Sequence, residues 1–265
     1  MSHPVFDLSG GLLALGLIVG LAFLTWLASL WRRDASIVDG MWPVFIGGAG
    51  LLYGCLAAQL GHAGTAALIL LAIWATRLGV HITARNHGQP EDRRYQKIRV
   101  DNPPFWIKSL YVVFGFQALL AWIVALPFMA ITSRTDGFEP LVVLGMLLAL
   151  FGIGFETVAD WQLERFKRNP GNHGRVLDTG LWRHSRHPNY FGECCVWWGF
   201  GLVGLASGAW WSLASPALMT LLLLKVSGVK LLETDIGERR PDYARYVRET
   251  SAFVPAPRRV RARAA

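Results

Sequence analysis

Cysteine is scarce in this chain, with three residues in 265. Cys55 lies in an apolar run, and Cys194 and Cys195 are neighbours near the start of another. That pattern excludes a disulfide framework and leaves three packing residues. Charge is scarce too, at 17% of residues, and acid is the scarcer sign, with 18 Asp and Glu against 26 Lys and Arg. No nucleic-acid-binding module accompanies the basic surplus, so nucleic acid is not an expected partner. Repeats, low-complexity tracts and a second, soluble domain are also missing. The first apolar stretch has no basic leader and ends in Trp31-Arg32-Arg33 rather than a small-residue cleavage site, so it is expected to stay as a membrane span.

What the chain has in quantity is apolar sequence. Hydrophobic residues make up 53%, gathered into stretches near the roughly 20 residues that cross a hydrocarbon core. They predict an all-α polytopic membrane protein, a bundle of seven transmembrane helices over about 11–31, 38–60, 65–84, 107–131, 141–162, 190–206 and 209–227. Only Ser207-Gly208 separates the last two, which predicts a tight helical hairpin. The fifth meets no breaker before Asn169-Pro170-Gly171 and is expected to run on beyond the bilayer. Trp26, Trp31, Trp106, Trp210 and Trp211 flank spans, as interfacial aromatics do.

The basic residues supply the orientation. Two follow span one, seven cluster around the loop after span three, six follow span five, and ten lie from Lys225 onward. Arg134 alone falls in a loop of the opposite side. The positive-inside rule then predicts an outside N-terminus and a cytoplasmic C-terminus. The tail Pro257-Arg258-Arg259-Val260-Arg261-Ala262-Arg263 reads as an attraction to anionic lipid.

Ionisable residues inside spans face a cavity or a partner, because lipid does not solvate them. Glu156, Asp160, Glu164 and Lys167 recur every three or four residues, on one face of span five. They read either as an ion-paired stripe or as the wall of a wet pocket. Downstream, Pro188 suits the first turn of span six. Free N–H groups there, with Arg183, Arg186 and His187, would make an anion site fit for a pyrophosphate. Asn189 and Glu193 lie on the same helix start. His184 and His187 lack a third and fourth ligand nearby, so no metal is expected. Tyr243, Tyr246 and Val247 share a face of a short C-terminal helix. Arg77 and His81 lie one turn apart at the end of span three, and Asp39 begins span two. Glu91-Asp92-Arg93-Arg94-Tyr95 reads as a solvated charge run. Gly199-Phe200-Gly201-Leu202-Val203-Gly204 matches a dinucleotide fingerprint but sits inside a span with no preceding strand. Those glycines, like Gly16, Gly20 and Gly208, are expected to allow close helix approach in lipid.

These residues resemble the steroid 5-alpha-reductase family, especially its bacterial branch of DUF1295-like membrane proteins. The likeness runs from Asp160 through Lys167 and Arg175 to Gly180-Leu181-Trp182, then Asn189-Tyr190-Phe191-Gly192-Glu193, and ends with Tyr246 and Ala252-Phe253-Val254-Pro255. The resemblance implies a seven-helix, NADPH-dependent reductase with a cytoplasm-facing cofactor cavity, in a bacterial inner membrane. It implies cofactor binding by Asp160, Lys167, Arg175, Asn189 and Glu193, with Arg239, Tyr243 and Tyr246 in the segment that closes over the cofactor; Arg183, Arg186 and His187 of the anion site, and Tyr190 beside them, complete the candidate cofactor set. The implied reaction is hydride transfer to a C=C conjugated to a carbonyl, on a steroid-like or other lipophilic substrate.

The chain departs from the family's pattern where the substrate is concerned. Gly40 and Met41 stand where eukaryotic members have a Gln-Glu pair, and Trp74 stands where they have a tyrosine. Asp39, His81 and Tyr95 are the candidate catalytic replacements, and Trp42, Trp74 and Arg77 the candidate substrate contacts. On this reading 1–265 is one membrane domain, with substrate-side helices one to four over 1–135. Helices five to seven, the cytoplasmic loops and the C-terminal helix bind cofactor over 141–257. The element Arg186-His187-Pro188-Asn189-Tyr190 is also similar to the isoprenylcysteine carboxyl methyltransferases, which implies an alternative S-adenosylmethionine-dependent membrane methyltransferase.

Overall fold

The computed structural model describes residues 6–135, 137–226 and 242–258. The regular elements among them are helices: α1 (Leu8–Arg32), α2 (Ile37–Leu56), α3 (His62–Asn86), α4 (Arg93–Asp101), α5 (Phe105–Thr132), α6 (Pro140–Arg168), α7 (Pro188–Ala206), α8 (Ala214–Leu221) and α9 (Tyr243–Glu249). Five of them, α1, α2, α3, α5 and α6, are long and apolar enough to cross a membrane. The expected all-helical class is present, and among the described residues five helices rather than the expected seven meet the measure of a span.

Some boundaries differ from expectation. α2 ends at Leu56, because Ala57 turns extended. α5 carries a π turn at Leu110–Gly115 and restarts at Pro127, whose missing N–H breaks the hydrogen-bond ladder. The last hairpin is less tight than its sequence predicts. Gly208 takes a positive φ of 81°, a 3-10 turn over Trp210–Leu213 follows, and the helix begins only at Ala214.

The chain divides into two compact units, Met1–Val143 with Phe200–Ser215, and Leu144–Gly199 with Pro216–Ala265. In the first, α2 is the central helix and packs on α1, α3 and α5. α1 offers a stripe of mostly small residues at helical spacing, with Gly11, Ala14, Ile18, Ala22, Thr25 and Ser29 all buried. Small residues let helices approach closely where lipid removes the hydrophobic drive. Indole N–H groups pin α1 to α5 at both ends: Trp122 donates to Gly11 O at 2.8 Å, and Trp26 to Trp106 O at 3.1 Å and Ser109 Oγ at 3.2 Å. Arg134, the exception to the charge segregation, is buried and donates to Ala206 O at 2.8 Å. It also pairs with Glu139 at 2.8 Å. A cation suits that place, since α7 ends there with unsatisfied carbonyls.

In the second unit α6 and α7 meet backbone to backbone. A Cβ on Gly152 would lie 2.6 Å from both Gly192 O and Val196 N, and one on Gly199 would lie 2.5 Å from Gly145 O. Gly145 and Gly152 on α6, and Gly192 and Gly199 on α7, are each seven residues apart, two helical turns, so one seam joins the helices. The glycine-rich stretch expected to permit close approach does so at Gly199. Gly16 and Gly20 do not share that role. Among the described residues a Cβ at either would meet nothing within 4 Å, so these two point into open space.

Candidate functional site

The polar interior of the second unit is built on that α6–α7 seam. Backbone contact at Gly152 and Gly192 brings Glu156 beside Gly192, and so next to Glu193 in sequence. Glu156, Asp160 and Glu193 are all buried. Asn189 Nδ2 donates to Asp160 Oδ1 at 3.1 Å, and Trp197 Nε1 donates to Glu193 Oε1 at 2.9 Å. The imidazole of His187 is buried and stacks on Tyr190, with ring centroids 5.6 Å apart and planes 5° from parallel. Lys167, Arg175 and Arg183 stay exposed around this interior.

Three chain segments are stitched together to hold these groups. The end of α6 fastens the turn that precedes α7: Leu181 N donates to Gln162 Oε1 at 2.9 Å, and Trp182 Nε1 to Ala159 O at 3.0 Å. That turn in turn holds the C-terminal segment. Tyr246 donates its buried hydroxyl to Trp182 O, with Ser185 O also in range. Arg186 N donates to Ser251 O at 2.8 Å, Ser185 Oγ to Phe253 O at 2.7 Å, and Ala256 N to His184 O at 3.0 Å. Arg258 closes the segment by pairing with Glu249 at 2.6 Å and Asp178 at 3.2 Å. Burial, reinforced by Tyr243, pushes the Tyr246 phenol well above its ordinary pKa, so it stays a donor.

The first unit carries a separate polar cluster where α2 begins. Asp39 accepts from Arg94 Nη2 and from the Tyr95 hydroxyl, each at 2.6 Å. Gln117 Nε2 on α5 donates to Tyr95 Oη at 2.9 Å. Asp92 caps α4 by accepting from Arg94 N at 2.9 Å, and holds the Arg94 guanidinium at 3.0 Å. Glu91 accepts from Ala35 N at 2.8 Å and pairs with Arg99 at 2.7 Å. The expected solvated charge run is thus the start of a helix, α4, docked on α2. Burial and then the Asp39 charge raise the Tyr95 pKa well above the ordinary phenol value. Burial opposes charge on Asp92, but hydrogen bonds from Arg94 outweigh it and hold that carboxyl below the usual range.

The structure therefore brings Asp39 and Tyr95 together. Cβ atoms on Gly40 and Gly79 would meet Thr83 Oγ1 at 2.8 Å and Gly40 O at 3.6 Å respectively. His81, two residues from both Gly79 and Thr83, lies on the opposite face of α3. That face carries Trp74 and Arg77, three and four residues apart from each other and from His81; Trp74 is fully buried and Arg77 and His81 half-buried. Trp42 is half-buried on α2. Arg239 lies outside the described residues. Sequence reasoning missed Gln117, Gln162, Ser185 and the triad Arg258–Glu249–Asp178. Gln117 had a signal, being the one amide inside the apolar stretch 107–131. The others had none, since their partners are backbone carbonyls, a backbone amide or residues far along the chain.

The model of DUF1295, a family described as of unknown function, matches residues 25–250. An uncharacterized protein of the fission yeast Schizosaccharomyces pombe is 28% identical over 264 residues, covering 87% of this chain and 75% of that protein. No solved structure matches the chain. The family match covers most of the sequence, so the chain belongs to the DUF1295 family.

Proposed function

We propose that this DUF1295 chain is a membrane reductase of the steroid 5-alpha-reductase kind, using NADPH to reduce an activated C=C of a lipophilic substrate. The observation that carries the reading is the Asn189–Asp160 hydrogen bond of 3.1 Å. It joins residues 29 positions apart that the resemblance assigns to one ligand, inside an apolar helix pair where such groups need a reason. Asp160, Asn189 and Glu193 supply hydrogen-bonding groups for a ribose or a carboxamide. Exposed Lys167, Arg175 and Arg183, with the N–H groups that open α7, supply the positive field that phosphates require. Bound there, NADPH would deliver a hydride to the electron-poor carbon, and a protein group would deliver the proton.

We assign that proton to His81 rather than Tyr95. The Tyr95 proton is directed at the Asp39 carboxylate, so losing it would leave two anions 2.6 Å apart. Tyr95, Asp39 and Arg94 then position α4, while His81 shares its helix face with Trp74 and Arg77. The seven-span topology belongs to the same proposal, with the N-terminus outside and the cofactor residues cytoplasmic in a bacterial inner membrane. The Arg134–Ala206 bond supports it, because it sets the end of α7 beside the loop that follows α5.

One observation favours the S-adenosylmethionine-dependent methyltransferase reading. Arg186 Nη1 donates to Val247 O at 2.8 Å, which takes part of one cation away from a phosphate role. Thermal unfolding of purified protein decides between the two. NADPH is expected to raise the midpoint and S-adenosylmethionine to leave it unchanged, and the reverse pattern overturns the reductase. Asn189→Ala and Glu193→Ala are expected to abolish the NADPH effect while the bundle remains folded.

A further inference from the structure

The outward face of α6 carries a groove that the reductase chemistry does not use. It follows Leu147, Leu150, Phe151, Gly154, Phe155 and Val158, with a volume of about 450 Å³, within the range that holds a small ligand or a single chain. Gly154 lies on its floor without a side chain, and among the described residues a Cβ there would meet nothing within 4 Å. Leu181 lines it too, on the turn that Gln162 and Ala159 fasten to α6.

The helix register continues this groove into a cationic end. Trp161, Arg165 and Arg168 follow Gly154 by seven, eleven and fourteen residues, which returns all three to its face at 3.6 residues per turn. All three are exposed, and the Arg165 guanidinium lies over the Trp161 ring, 5.4 Å from its centroid. Glu164, the acid beside Arg165 in sequence, pairs with Lys167 at 3.7 Å. From Leu147 to Val158 the groove is about 16 Å long at helical rise, close to half the ~30 Å hydrocarbon core. An apolar slot one leaflet deep, then an interfacial tryptophan, then two arginines, is the order of chemistry along a single anionic phospholipid.

We propose that this face of α6 is a specific site for an anionic glycerophospholipid, with one acyl chain in the groove over Gly154 and its phosphate held by Arg165 and Arg168. The site is independent of the reductase assignment, since none of its residues belongs to the proposed cofactor set.

Native mass spectrometry of the detergent-solubilised protein tests it, with dioleoyl phosphatidylglycerol and dioleoyl phosphatidylcholine as probes. The wild type is expected to retain phosphatidylglycerol preferentially. Arg165→Gln with Arg168→Gln is expected to erase about thirtyfold of that preference, from two basic residues at the surface. Gly154→Leu places a side chain in the slot, where its Cβ meets no protein atom among the described residues, and is expected to weaken both lipids alike, with a melting temperature no lower than the wild type's. Unaltered lipid retention in these variants overturns the site. So does a Gly154→Leu variant that only shifts a dimer to monomer, because the face is then an interface between copies. Equal binding of free glycerol phosphate, with no contribution from the chains, overturns it as well.

Discussion

Asp39 accepts hydrogen bonds from two partners on α4, and so ties that helix to α2. Tyr95→Phe removes the phenol from Asp39 and from the Gln117 amide together. The variant is expected to lose about 2 kcal/mol, the scale of a buried group left unmatched, seen as a lower unfolding midpoint. NADPH stabilisation should persist, because Tyr95 is a positioning residue; if it vanishes, that role is wrong. His81→Ala should likewise keep the cofactor response, while abolishing reduction of an enone substrate. The Tyr95 proton also has a pH signature. Its pKa is raised on folding, so its contribution is complete below the ordinary phenol value near 10 and is lost as pH climbs from there through the folded pKa. Alkaline unfolding midpoints should therefore fall more steeply in the wild type than in Tyr95→Phe; parallel curves would rule this out.

At the scale of elements, the seam between α6 and α7 has no slack. Gly152→Ala places a methyl 2.6 Å from two backbone atoms, so the helices must separate, at a cost of about 1–3 kcal/mol. Separation moves Asn189 away from Asp160, and the variant should lose its NADPH response along with stability. Gly16→Ala on α1 meets open space and should be neutral, or stabilising by up to about 1 kcal/mol through helix propensity. Comparable melting temperatures for the two alanine variants would show that the seam is not what holds the site. The C-terminal segment depends on Arg258 in the same way. Arg258→Gln releases both Glu249 and Asp178, and limited proteolysis should then cut within 250–258 faster than in the wild type.

For the whole molecule, the count of spans is the open quantity that one reporter position can read. Five helices pass as spans by length and composition, while the sequence predicts seven from its apolar stretches and the hairpin at Ser207-Gly208. A topology reporter inserted after Ser207 should report the outside face if α7 crosses the bilayer. Cytoplasmic signal there, with a cytoplasmic C-terminus, would reduce the bundle to five spans.

Helix periodicity and apolar length were legible in the residues alone, because in lipid each helix satisfies its own backbone and announces itself in about twenty consecutive residues. The acidic face of α6 and Pro188 at the start of α7 were legible for the same reason, since polar groups and proline stand out against an apolar run. Partner choice was not. Nothing in the string distinguishes Gly152, which touches a neighbouring backbone, from Gly16, which touches nothing. Nor does it say that Tyr95 reaches Asp39 across 56 positions or that Tyr246 fastens the turn at Trp182. Those contacts arise when separate helices pack, and packing brings together side chains whose positions along the chain carry no common period. Only the tertiary structure could therefore divide the polar residues into an α6–α7 interior, a clamp on α4 and a clasp on the C-terminal segment.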